Sequence, residues 1–208
     1  MRKASIVGAI AITLLAFSTT PTATALAQEL EILGSSCEDS NLEVHNGFQE
    51  APRCVQTSHG EVTTQDKNPG LLIVGFPEEV RSGQNIRLKV SSRNLVRDRF
   101  LAAGTGGYYK EMGFLNEDGL TRGHFHAACR LIGNGKQALV SDRQASFRAV
   151  EDGRGGAGAD TVVVTLPGLK GKGQAQCAVW AGDGSHRMPM MQFANQIPAF
   201  DAVRLNIK

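Results

Sequence analysis

The 208-residue chain carries 22 Lys and Arg against 20 Asp and Glu, and two of the cations, Arg2 and Lys3, sit in an N-terminal leader. Removing the 27 residues of that leader from 208 leaves 181, with 20 charges of each sign, a length that fits one domain with a proper core. Such a balance argues against nucleic acid, which is held through Lys and Arg in excess on one face, and against a generic anionic membrane surface.

Arg2 and Lys3 precede an uncharged apolar run over residues 4–17, and small residues close the segment at Ala25-Leu26-Ala27. This is the layout of a secretory signal peptide, and its apolar run is shorter than the about 20 residues a bilayer requires. Cleavage after Ala27 is expected, giving a secreted, extracellular protein that begins at Gln28, has no membrane insertion and is a monomer. In an oxidising compartment four cysteines read as two disulfides, for which three pairings exist. Cys37 with Cys54 and Cys129 with Cys177 are favoured; no C-x-x-C pair is present to suggest a zinc template.

Residues 28–70 are polar and broken by Asn46-Gly47 and Asn68-Pro69-Gly70, which predicts an extended N-terminal arm with its own local disulfide. Residues 71–208 form the expected β domain. Residues 71–76 read as a buried strand, and residues 85–92 as a half-buried one, with Ile86, Leu88 and Val90 alternating against Arg87, Lys89 and Ser91. A local helix is allowed only around residues 95–103. Residues 108–115 and 120–132 flank Asn116-Glu117-Asp118-Gly119 and predict a hairpin. Further strands are expected at 145–150, 161–166, 174–181 and 202–207. Eight short strands without a long amphipathic helix indicate an all-β fold, an immunoglobulin-like β-sandwich with a jelly roll or other β-barrel as the alternative. The analogy departs from the immunoglobulin order because Trp180 follows the second core cysteine instead of lying between the two.

Chemistry-bearing residues gather in GHFHAACR (123–130) and WAGDGSHRMPMM (180–191). If Cys129 points inward, strand alternation turns Phe125, Ala127 and Leu131 inward and His124, His126 and Arg130 outward. Two imidazoles on one face can chelate one ion, and His186, Met188, Met190 and Met191 offer further ligands of a kind that suits copper. Asp183, Ser185 and His186 lack the Gly-x-Ser-x-Gly elbow, and as near neighbours in one segment cannot aim at one another as a triad. The His-x-His step resembles that of a cupin, but Arg130 and Leu131 stand where a glutamate is expected. The single copy of Gly-Gly-x-Gly-x-Asp at residues 155–160 reads as a loop, not a calcium repeat.

The stretches RNLVRDRFLAAGTGGYY (93–109), GHFHAACR and CAVWAGDGSHRMPMMQFANQIPAFDAVRL (177–205) resemble a family of small secreted proteins of actinomycetes and filamentous fungi. The resemblance spans residues 71–208 and implies secretion and a shared β fold. It brings no catalytic or binding residue with it. Two functional readings follow. In the first, the protein is a binding module without a cofactor, and Tyr108, Tyr109, Arg122, Arg130, Trp180 and Arg187 form a surface for a glycan, a cell-wall component or another protein. In the alternative, His124, His126, His186, Met188 and Met190 form a copper site or a metal-dependent oxidase. Nothing in the sequence marks a catalytic residue. The leader reading predicts that mass measurement of the exported protein finds Gln28 at its N-terminus; a product retaining residues 1–27 would refute it.

Overall fold

A computed structural model describes residues 34–208, so the leader and its cleavage point lie outside the described residues. The chain follows the period-two pattern into a β-sandwich stapled by two disulfides. One layer is a three-stranded antiparallel sheet of β1 (Gly70–Gly75), β3 (Ile86–Arg93) and β9 (Asp160–Leu166), in the order β1-β3-β9; β2 (Glu79–Val80) belongs to the other layer. In β3 the predicted face is the real one: Ile86, Leu88 and Val90 are fully buried while Arg87 and Lys89 face solvent.

The larger sheet is built on two eleven-residue strands, β6 (Thr121–Leu131) and β10 (Gly173–Asp183), paired antiparallel along their length. On its far side β10 pairs with β11 (Phe200–Ile207), which carries β2 at the sheet edge. Around β6 lie the short strands β4 (Leu95–Val96), β5 (Phe114–Leu115) and β7 (Phe147–Val150), and β8 (Gly155–Gly156) pairs with β4. Phe125, Ala127 and Cys129 of β6, with Ala175, Cys177, Val179 and Ala181 of β10 and Leu205 and Ile207 of β11, meet the buried face of the small sheet to form the core.

Four expectations are corrected in detail. The 71–76 segment is a strand with only one buried face: Leu71 and Ile73 enter the core, but Leu72 and Val74 are exposed. Both predicted disulfides are present, yet Cys129 and Cys177 sit opposite each other on adjacent strands. Their bond therefore links strands within one sheet and is not the bridge between sheets on which the immunoglobulin-like analogy rested. The 116–119 turn does reverse the chain, but the first hairpin strand is only β5, and residues 108–113 are not strand. Around residues 95–103 there is no α-helix. Leu95 and Val96 are strand, the chain then runs without regular structure, and a single 3₁₀ turn follows at Ala103–Thr105.

Arg97 explains part of that outcome. Its side chain is fully buried and donates to Ser92 Oγ, Asp152 and Asp160, so the segment is drawn across the sandwich instead of coiling. Asp160, the acid of the Gly-Gly-x-Gly-x-Asp stretch, thereby serves an ion pair. Residues 34–69 run through bends, two isolated bridges and one 3₁₀ turn at Gln65–Lys67, hold the Cys37–Cys54 bond and lie against the sheets. Thr57 Oγ1 donates to the Tyr109 carbonyl at 2.8 Å and Lys67 Nζ to the Asp118 carbonyl at 2.7 Å. Leu88→Ala is expected to cost about 2–5 kcal/mol in urea unfolding, because it opens a cavity between the sheets. Leu72→Ser on the exposed face is expected to stay within about 0.5 kcal/mol; equal losses at both positions would contradict the assigned faces.

Candidate metal centre

On β6 the residues that alternate with the core set are His124 and His126, as expected, but the face they occupy is not open to solvent. His124 is 0% and His126 6% exposed, because a second layer covers this side of the sheet. The cover consists of residues 97–112 and of the tight turn that follows β10, which carries His186.

That turn is tied by one carboxylate. Asp183 accepts from the backbone N–H groups of Ser185 and Arg187 at 2.8 and 3.0 Å and from Arg187 Nε at 3.0 Å. His186 is held at φ 73°, in the left-handed region that residues other than glycine seldom adopt. Ser185 Oγ accepts from the N–H groups of Lys110 and Glu111, anchoring the cover to the turn. The Asp-Gly-Ser-His run is thus a scaffold, with its serine and aspartate engaged as acceptors. Across the strand pair from His124 stands Gly182, where a Cβ would come within 3.1 Å of the imidazole.

The three rings converge. His124 Nε2 lies 2.9 Å from His126 Nε2, which lies 3.4 Å from His186 Nδ1. Among the described residues this is the one cluster of three His, Cys, Asp or Glu side chains whose ligand atoms all lie within 4.8 Å of one another. The outward nitrogens are engaged as well: His124 Nδ1 is 3.1 Å from the Arg99 carbonyl and His186 Nε2 is 2.6 Å from the Leu101 carbonyl. A carbonyl only accepts, so these nitrogens carry the protons, and the lone pairs of His124 Nε2 and His186 Nδ1 point into the cluster. Between the two carbonyls Phe100 sets its ring edge-on to both imidazoles, with centroids 4.8 and 5.0 Å away.

No family model matches the chain, and no curated protein matches it. Three solved structures of a β-glucosidase from Listeria innocua show a limited likeness. A mutant with laminaribiose has a TM-score of 0.35 at 10% identity, covering 68% of this chain and 16% of that one. The complex with glucose scores 0.33 at 9% identity, and a further structure 0.35 at 11%, each covering 67% of this chain and 16% of the other. The chain thus corresponds to a small part of those enzymes, and neither their reaction nor their ligands carry over.

The remaining residues of interest distribute unevenly around the cluster. Tyr108 and Trp180 flank it, with ring centroids 5.3 Å from His186 and 5.2 Å from His126. Tyr109 follows as the next residue, its hydroxyl 3.0 Å from that of Tyr108. Met188 lines the cleft that Tyr108, Trp180 and His186 share, while Met190 lines a separate small pocket with His59 and Asp183. Arg187 turns its guanidinium inward to Asp183 and to the Ser58 and Glu111 carbonyls. Arg122 pairs with Asp98, and Arg130, which shares a pocket with Trp180, reaches the Val140 carbonyl and Gln176. Phe100, Phe147 and the two carbonyls were not singled out in the sequence. The carbonyls leave no mark there, and Phe100 lies in a segment read as locally helical.

Burial holds the imidazoles neutral. Desolvation, then the neighbouring His186, lowers the His124 pKa to about 4. Desolvation, then His124 and His186, lowers that of His126 to about 3, and desolvation lowers His186 too. Histidine in an unfolded chain titrates near 6.5, so between that pH and the lowered values the unfolded state binds more protons than the folded one. The metal-free protein is therefore expected to lose stability progressively as pH falls below about 6.5, a loss complete only below about 3. Thermal unfolding from pH 7.5 downward measures this; a flat profile, or ring resonances of His124 and His126 that titrate near 6.5, would refute it.

Proposed function

We propose that the chain is an exported metal-binding protein in which His124 Nε2, His126 Nε2 and His186 Nδ1 hold a single copper-type ion. The observation that carries the reading is the convergence of these nitrogens while the far nitrogens of His124 and His186 are fixed by the Arg99 and Leu101 carbonyls. Metal-ligating histidines use such partners to set the tautomer and ring orientation. An ion about 2.0–2.1 Å from each nitrogen sets neighbouring nitrogens about 2.9 Å apart at a right angle and about 3.3 Å at the tetrahedral angle. The 2.9 and 3.4 Å separations about His126 match that spacing, and the ligand atoms of all three rings lie within 4.8 Å of one another, so an ion would draw the rings of His124 and His186 together on it.

Neutral imidazole suits copper and zinc, and the order of divalent affinities favours copper. Three protein ligands leave a coordination position for water or substrate, the pattern of catalytic rather than structural sites. That position supports the metal-dependent oxidase form of the reading. Export belongs to the same proposal and is supported by two disulfides and no free cysteine. The binding-module reading keeps a cleft that Tyr108, Tyr109, Trp180 and Arg187 line together, but the guanidinium of Arg187 is taken up by Asp183 and by the Ser58 and Glu111 carbonyls, and that of Arg122 by Asp98.

Copper loading followed by exhaustive dialysis and elemental analysis is expected to give one ion per chain, with nitrogen splitting in the electron paramagnetic resonance spectrum. His126→Ala and His186→Ala are each expected to weaken binding at least 10–100-fold. His59→Ala serves as a control and keeps full occupancy, and circular dichroism verifies that each variant folds. Failure of the parent chain to retain copper or zinc, or equal uptake by the two cluster variants, sinks the proposal.

A further inference from the structure

The imidazole cluster adjoins a cavity of about 410 Å³ whose principal walls are Phe100, Tyr108, His126, Phe147, Trp180 and His186. Its size falls within the range of small-molecule sites. Gln49 and residues 102–104 complete the lining, and none of these side chains is an acid, a lysine or an arginine. With no ion on the imidazoles, a charged guest would give up its hydration there without a counter-ion, at a large penalty. The guest is therefore neutral.

The polar inventory narrows it further. Beyond the imidazoles, the side chains able to hydrogen-bond a guest are Gln49, the Tyr108 hydroxyl and the Trp180 N–H, and the Tyr108 hydroxyl already faces that of Tyr109 at 3.0 Å. A sugar ring brings a hydroxyl on nearly every carbon and would leave several unpaired, each costly once buried. A flat ring with one or two oxygens matches four aromatic walls and few polar partners. Aromatic rings gain from offset or edge-on contact at centroid separations of about 4.5–7 Å, and the Phe147–Trp180 and Trp180–His126 pairs already stand at 6.4 and 5.2 Å.

We infer that this cavity takes a neutral phenol, its ring among Phe100, Tyr108, Phe147 and Trp180 and its oxygen turned toward the ion held by the three histidines. The direction of the oxygen rests on the metal reading; burial of the ring does not. The inference makes phenolic compounds the substrate or ligand class of the site.

Trp180 is the only tryptophan in the chain, so its fluorescence reports a guest at this ring, and because it also borders the Met188 cleft and the pocket beside Arg130, the Ala102→Phe variant below assigns the guest to this cavity. Phenol is titrated into metal-free, zinc-loaded and copper-loaded protein, with benzoate and methyl glucoside as comparators, and metal content is measured on the same samples. The expected result is saturable quenching by phenol, an at least tenfold weaker response of the metal-free protein to benzoate and of every form to the glucoside, and a shift of the copper paramagnetic resonance spectrum when phenol is added. Ala102→Phe, which fills the cavity from a residue outside the imidazole cluster, is expected to weaken phenol binding at least tenfold while metal content stays at one ion per chain. A chain that holds one ion but shows no saturable phenol response or prefers the glucoside, or that prefers benzoate in its metal-free form, overturns the inference and leaves the metal reading standing. A phenol response from a chain that takes up no metal overturns the metal reading and with it the coordinated oxygen. An Ala102→Phe variant that loads metal and binds phenol like the parent overturns the placement in this cavity.

Discussion

Pairing of β6 with β10 sets Cys129 directly opposite Cys177, and the rest of the imidazole cluster inherits that register. With those residues opposed, His126 faces Trp180 and His124 faces Gly182 across the ladder. A slip of one residue in either strand would turn a whole set of side chains to the other face, placing imidazoles in the core and core residues under the cover. The disulfide forbids that slip covalently. Close backbone approach reinforces it at the end of the strand pair, where a Cβ on Gly123 would sit 2.0 Å from the Gly182 carbonyl oxygen. Register, ring clearance at Gly182 and the position of Trp180 are consequences of one alignment.

The second layer is held by polar bonds rather than by apolar packing. Asp183, 3% exposed, is fully occupied by the turn and by Arg187. Arg187 extends the network to the arm through the Ser58 carbonyl and to the cover through that of Glu111, and Glu111 in turn pairs with Arg99. The Arg99 carbonyl reaches His124. A chain of hydrogen-bonded groups thus runs from the segment around Ser58 to the clustered imidazoles. Buried polar groups satisfied in this way restrict a loop to one geometry, which is what a set of converging ligands requires.

Much of the sandwich was legible because it depends on local period. Ile86, Leu88 and Val90 announce a half-buried strand, and the His-Phe-His-Ala-Ala-Cys run assigns its imidazoles to the face opposite the cysteine without any knowledge of the partner strands. Legibility ended where backbone groups find distant partners. The sequence around residues 95–103 contains residues tolerated in a helix, yet Arg97 is drawn to Asp152 and Asp160, and the Arg99 and Leu101 carbonyls are engaged by histidines 25 and 85 residues away. No local propensity competes with those bonds. For the same reason alternation gave the face of His124 and His126 but not their burial: the cover comes from segments whose place is set by Asp183 and Ser185, not by any periodic signal.

Stability alone does not account for three neutral imidazoles buried together. Nitrogens of His124 and His186 both approach His126 Nε2, at 2.9 and 3.4 Å. Since the carbonyls of Arg99 and Leu101 assign the protons of His124 and His186 to the outer nitrogens, only His126 Nε2 can donate inward. One proton then faces two lone pairs, so without an ion at least one acceptor is poorly served, in a site where polar groups are costly to leave unmatched. Apolar side chains of similar volume would fill this space with no such conflict. Departures from the packing rules that are themselves propped up by a supporting network mark places where function, not folding, set the residues. The cover, which fixes two tautomers through the carbonyls of Arg99 and Leu101, sets two lone pairs against the one nitrogen, His126 Nε2, whose proton is free to leave, and that is the arrangement the proposed ion would use.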